Sequence, residues 1–202
     1  QTLSGISLLN YYTEALDFVL QKDPIAVTAI LEKVPFANVP QNLGEPVQSF
    51  ATSGIHISHL VLDIDGNIGK LAALRAQFRL QEANELAAQI AGNLSQAFLM
   101  LGNIEQTATT TGTVLKVSSA PITSNLRLSY NQVLDRIEKI RKMLALYEEL
   151  LKAPSLTPSL NTTVTLEIQP SVAFVGDNIS FAGVLTSDGA PLAGREVNIL
   201  LN

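Results

Sequence analysis

The chain has 202 residues, 47% hydrophobic and 15% charged, with a net charge of -5, two His and neither Cys nor Trp. That apolar content suffices for a packed core and argues against wholesale disorder, while the lack of Cys excludes disulfides, thiol chemistry and Cys-ligated metals. Residues 1–153 carry 12 basic and 14 acidic side chains and residues 154–202 carry one and four, so no cationic face is offered to phosphates and nucleic acid is not an expected partner.

The sequence opens at Gln1 rather than Met, which implies that something upstream has been removed by processing or cloning. The run from Leu3 to Leu20 is interrupted by Tyr11, Thr13, Glu14 and Asp17 in amphipathic order and is not a secretory signal. Ile6, Leu9, Tyr12, Leu16, Val19 and Leu20 recur at steps of three and four and predict a first helix. At Asp23-Pro24 a second helix starts, since Asp suits the N-cap and Pro the first helical position; Ile25, Val27, Ile30, Leu31 and Val34 follow as its apolar residues. Pro35, Pro40, Gly44 and Pro46 predict a loop.

From about Ser49 to Thr107 the pattern is that of one very long helix. Ile57, Leu60, Ile64, Ile68, Leu71 and Phe78 form its first stripe, and Ala83, Leu86, Ile90, Leu94, Ala97, Leu101 and Ile104 its second. The phase slips between Arg79 and Glu82, so a long, bent helix is expected, with Gly66, Gly69, Gly92 and Gly102 as its weak points. The charge-free run Leu86–Ile104 contains Gln89, Asn93, Ser95, Gln96 and Asn103, which favours an amphipathic packed helix over a membrane span. Ala108–Ser119, rich in Thr and Ser, is expected to leave the helix.

After Pro121, with Thr123 or Ser124 as cap, Tyr130, Val133, Ile137, Ile140, Leu144, Tyr147 and Leu151 form a heptad seam flanked by charges. Such a seam needs a partner helix, either the long helix of the same chain or a second copy. Burial of Ile137, Ile140 and Leu144 against the Leu86–Leu101 region is the expectation.

At Pro154 the composition changes, and 154–160 reads as a Pro/Ser linker. Beyond it the period falls to two, predicting strands at Val164–Ile168, Ile179–Leu185 and Val197–Leu201, with a tight turn at Ser187-Asp188-Gly189. The run Val175-Gly176-Asp177-Asn178-Ile179-Ser180-Phe181-Ala182-Gly183, then Asp188-Gly189-Ala190-Pro191-Leu192-Ala193-Gly194-Arg195-Glu196-Val197, resembles the opening of immunoglobulin-like β-sandwich modules in bacterial and archaeal surface proteins. The resemblance covers about 161–202 and implies a sandwich fold, with nothing specific about a ligand. A full sandwich takes about seven strands and about 100 residues, so the β region is expected to be partial and the native protein to continue past Asn202. No family is recognised in 1–153.

Few groups suit chemistry. His56 and His59, spaced i, i+3, with Asp63 four residues on, are weak metal candidates, short of the i, i+4 zincin pattern. Asp63-Ile-Asp65-Gly66-Asn67 fails as a calcium loop, because aligning Gly66 to the loop's glycine puts Val61 and Ala72 at ligand positions. No phosphate loop, nucleophile elbow or catalytic triad spacing occurs, so no catalytic or cofactor-binding residue and no cofactor is assigned. Asn93, Asn161 and Asn178 head Asn-x-Ser/Thr sequons and are glycosylation candidates.

The expected molecule is mainly α: a helical bundle over 1–153, the linker, and a partial immunoglobulin-like β region over 161–202. A non-enzymatic, extracytoplasmic structural or adhesive role at the cell surface is expected, with protein partners or self-association through the seam or an open β edge. Contact with a membrane is expected only through segments outside this chain. Two alternatives are a helical sensor domain binding a small ligand and an accessory region of a secreted hydrolase.

Overall fold

The computed structural model describes residues 3–117, 124–152, 162–170, 178–187 and 190–191. The chain divides into two compact units, Gln1–Ser155 and Leu156–Asn202. It is mainly helical, with a small antiparallel sheet toward the C-terminus.

Among the described residues the first unit contains five α-helices. In α1 (Gly5–Leu20) the Ser4 side chain caps the start by accepting from the Ser7 amide at 3.1 Å. The predicted stripe is buried at Leu9, Tyr12, Leu16 and Val19, joined by Leu8 and Ala15. In α2 (Pro24–Glu32) the expected Asp-Pro start is present, with Asp23 Oδ1 accepting from the Ala26 amide at 2.9 Å. Ile25, placed among the apolar residues of this helix, is instead 81% exposed, since its neighbours Pro24, Val27, Ile30 and Leu31 take the inner face.

The next loop consists of two 3₁₀ turns, Phe36–Asn38 and Gln41–Leu43, and it ends sooner than expected. The third helix, α3 (Gly44–Ala76), already includes Pro46. A proline in the first turn loses no helical hydrogen bond, which is why it does not delay the start.

The expected single bent helix is two. The chain breaks at Gln77-Phe78-Arg79 and returns as α4 (Leu80–Val114), antiparallel to α3, so that Thr107 comes within 3.5 Å of Ser49. The break lies at the phase slip, not at the glycines. Phe78 adopts the left-handed conformation (φ 55°), its amide bonds to Arg75 O at 3.1 Å, and the Arg79 amide bonds to Leu74 O at 3.0 Å. This is a complete Schellman closure with a phenylalanine where glycine is usual. Two stripes that could not share one face of a straight helix thereby face one core, with Ile57, Ile64 and Leu71 on one arm and Ile90, Leu94, Leu101 and Ile104 on the other.

The Thr-rich segment expected to leave the helix stays in it as far as Val114. Thr107, Thr109, Thr110 and Thr113 each donate a hydroxyl hydrogen bond to the carbonyl four residues earlier, at 2.7–3.0 Å. Satisfying the hydroxyl on the helix's own backbone removes its competition with the helical bonds.

Helix α5 (Ser124–Lys152) supplies the seam, and Val133, Ile137, Ile140, Leu144 and Tyr147 are buried within the same unit. Its register to α4 is set by Arg141 reaching Glu105 at 2.6 Å and by Gly112 lying under the Tyr130 ring. That antiparallel register puts Ile140 level with residues 102–106 and Ile137 with 105–109, past the Leu86–Leu101 region predicted to receive them, and leaves only Leu144, level with 98–102, at its edge. Helix α1 runs parallel to α5: Ser129 contacts Asn10 at 3.3 Å and Arg136 contacts Asp17 at 2.7 Å, both pairs 119 residues apart.

The second unit is described through β1 (Thr162–Gln169), β2 (Ser180–Ser187) and the two-residue β3 (Ala190–Pro191), antiparallel in the order β1-β2-β3. Two of the predicted strands are present. The Val197–Leu201 strand, the 154–160 linker, the Asp188-Gly189 turn and the Val175–Asp177 part of the family motif lie outside the described residues.

Candidate functional site

The predicted site residues do not converge. His56, His59 and Asp63 all lie on exposed turns of α3, and among the described residues no three His, Cys, Asp or Glu side chains approach one another as a metal set would. Asn93 is half-buried within α4, Asn178 is exposed just before β2, and Asn161 lies outside the described residues. No helix among the described residues is long and apolar enough to cross a membrane.

A polar junction forms at Asp65, a residue of the failed calcium loop. Asp65, in the middle of α3, accepts from Lys22 Nζ and from the Tyr147 hydroxyl, each at 2.6 Å, through the same Oδ1. Three elements meet there: the end of α1, α3 and α5. The Lys22 ammonium, and next the Tyr147 hydroxyl, hold the Asp65 carboxyl below the usual carboxylate range. Burial, and then the Asp65 carboxylate, push the Tyr147 phenol upward. Lys22 itself has φ 61° and closes α1 in the same Schellman geometry as Phe78, with its amide on Val19 O and that of Asp23 on Phe18 O, each at 3.0 Å. Sequence spacing cannot reveal this contact, because 43 residues separate Lys22 from Asp65 and 82 separate Asp65 from Tyr147.

Above the start of α3, the α3–α4 hairpin carries an open groove made of two adjoining hollows of about 270 and 500 Å³. Glu45, Ser49 and Asn103 line both. The smaller hollow is walled mainly by polar groups, whereas the larger, lined by His56 and Met100 among others, exposes more apolar than polar surface. Ser53 faces the larger hollow although only 5% of its surface is exposed. Its hydroxyl takes no partner among the described residues, unlike that of Thr52 beside it, which bonds to Gln48 O.

The sheet offers a second surface. The β1–β2 register pairs Val164 with Leu185, Leu166 with Gly183 and Ile168 with Phe181, so one face is apolar throughout. Val164, Leu166, Ile168 and Phe181 are 36–54% exposed. The opposite face carries Thr163, Thr165 and Glu167. Gly183 is required where it stands, because a Cβ there would sit 2.2 Å from the Thr165 carbonyl oxygen.

No protein-family model, no curated protein and no solved structure matches this chain.

Proposed function

We propose that the chain is a non-enzymatic structural or adhesive module of an extracytoplasmic surface protein, with the helical unit as a spacer and the β unit as part of an immunoglobulin-like module. One observation carries the reading. Because α1 and α5 are parallel and α5 continues well past the end of α1, the helical unit is entered at one end and left at the other. The 29 residues of α5 alone span about 43 Å at 1.5 Å per residue. A unit whose two attachment points lie at opposite ends holds its neighbours apart and suits a spacer, whereas a binding domain has no need of opposite ends.

The apolar face of β1 and β2 supports the second half of the reading. One sheet of a sandwich needs such a face for the opposing sheet, and the alternation Val164-x-Leu166-x-Ile168 supplies it. The Asp-Asn-Ile-Ser-Phe-Ala-Gly sequence leading into β2 is the part of the surface-module motif that carries Phe181 onto this face. Protease treatment of intact source cells, with immunodetection of the helical unit afterwards, tests the proposal. Digestion without lysis supports an outward-facing module, and digestion only after lysis overturns it.

A further inference from the structure

We propose that β1 is a self-association edge: two copies of the chain join through their β1 strands, antiparallel about a two-fold axis at Leu166. This goes beyond the spacer reading and does not depend on it.

Among the described residues β1 pairs with β2 alone and stands at the outside of the sheet. The Val184 amide and carbonyl face β1, where they bond to the Thr165 hydroxyl at 3.2 and 3.3 Å. By the alternation of an antiparallel pair, Thr165 turns its backbone groups toward β2, and Val164, Leu166 and Ile168 turn theirs to the outer edge. Natural proteins protect such an edge with a lysine, a proline, a bulge or extreme shortness. None of these guards β1. Its eight residues, Thr162–Gln169, contain one charge, Glu167, and neither Lys nor Pro. The register with β2 runs through all eight without a bulge.

The sequence of β1 specifies what can pair with it. Of the two-fold registers open to this strand, the one centred on Leu166 alone sets all three apolar residues against apolar ones. Val164 then stands opposite the second copy's Ile168, Leu166 opposite Leu166, and Ile168 opposite Val164. The same register places Thr165 opposite Glu167, a hydroxyl beside a carboxylate, and keeps the two Glu167 side chains from facing each other. Val164, Leu166 and Ile168 are exposed in the single chain, so the pairing removes apolar surface from water. The other surface suited to self-association, the α5 seam, is already filled within the helical unit. The joined sheet keeps one continuous apolar face.

An edge of eight residues buries little surface, so a Kd of about 0.1 mM is expected. Analytical ultracentrifugation of the whole chain should show a dimer that grows with concentration. Leu166→Lys sets two ammonium groups against each other at the axis and should abolish it, and mixing Leu166→Lys with Leu166→Glu chains should restore it. The chain has no Cys, so single introduced thiols report the register. Under mild oxidation, Thr165→Cys mixed with Glu167→Cys should give a disulfide-linked heterodimer about fivefold above the homodimer yield of either variant alone. The opposed residues have Cα atoms about 4.5 Å apart, within reach of a disulfide, whereas like residues lie diagonally at about 7–8 Å. A chain that stays monomeric to about 1 mM overturns the proposal. So does a dimer that survives Leu166→Lys, or a failure of the mixed charges to restore it. A dimer with no preference for the heterodisulfide also overturns it, and is the result expected if two apolar faces stack instead, since Thr165 and Glu167 lie on the opposite face of the sheet.

Discussion

Lys22 Nζ lies 2.6 Å from Asp65 Oδ1, and the lysine that makes this contact occupies a backbone conformation that favours glycine. The side chain explains the residue: its position just past the end of α1 aims the ammonium at the middle of α3, where Tyr147 of α5 shares the same carboxylate oxygen.

Replacing Asp65 by Asn should therefore remove one source of acid sensitivity. The carboxyl is held below its ordinary value in the folded chain, so its contribution is present above the unfolded value of about 3.9 and is lost as pH falls through the folded one. Lys22 and Asp65 are 36% and 37% exposed, which limits the pair and its phenol contact to about 1 kcal/mol at neutral pH. Urea melts at pH 7 and pH 3 check this: the two proteins should differ at pH 7, and the difference should be smaller at pH 3.

Glycine substitutions at the helix ends separate strain from contact. Lys116 closes α4 at φ 56° and makes no ion pair among the described residues. Lys116→Gly should raise stability by about 1 kcal/mol, the cost of a left-handed L-residue. Lys22→Gly relieves the same strain but loses Asp65, so its gain in thermal denaturation should be smaller; an equal gain would show the contact to be inert.

Tyr12→Phe should stabilise the core. The Tyr12 ring stacks on Phe50 with centroids 3.6 Å apart and planes 8° from parallel. Its hydroxyl is buried without a hydrogen-bond partner, as is that of Thr111. Burial pushes the Tyr12 phenol up, and the nearby Thr111 hydroxyl offsets part of the shift. Removing an unsatisfied buried hydroxyl while keeping the ring should gain about 1 kcal/mol. A raised phenol contributes stability below the unfolded value of about 10 and loses it as pH rises further, so the variant should also lose less stability in alkaline melts. Tyr147 would still account for a residual loss.

Gly92→Ala and Gly112→Ala should have opposite signs although both lie inside α4. A Cβ at Gly92 meets nothing within 4 Å, and the substitution should gain about 1 kcal/mol of helix propensity. At Gly112 a Cβ would fall 2.6 Å from the Tyr130 ring, which would force α4 and α5 apart. Calorimetric melting points on either side of the parent's would check the pair.

Ile140→Ala should cost about 2–5 kcal/mol, as expected for a large-to-small change at a fully buried position. A change below about 0.5 kcal/mol in denaturant melting would mean that the α5 seam does not pack where it is placed.

The helical stripes, the Asp23-Pro24 start and the α5 seam were legible because each depends on residues within a few turns of one another. The α3–α4 break was visible as a slip of phase, yet glycine was the wrong place to look. Gly66, Gly69, Gly92 and Gly102 sit on open helix surface where flexibility meets no demand, while Phe78 turns the chain because the stripes on either side need one core. The threonines of α4 misled for a related reason, since β-branching disfavours a helix only until the hydroxyls bond to its backbone. The junction at Asp65 and the groove at Ser53 were illegible, since both arise from side chains brought together across helices.

The parallel run of α1 against α5 also has a mechanical consequence. A pull applied at the start of α1 and the end of α5 draws the two helices past each other along their length. The Asn10–Ser129 and Asp17–Arg136 contacts, in one register, are then loaded together in shear, whereas an antiparallel pair pulled from adjacent ends would peel open one contact at a time. The helical unit should therefore resist stretching between its two ends better than its modest count of ion pairs suggests, and under tension it should yield in one abrupt step.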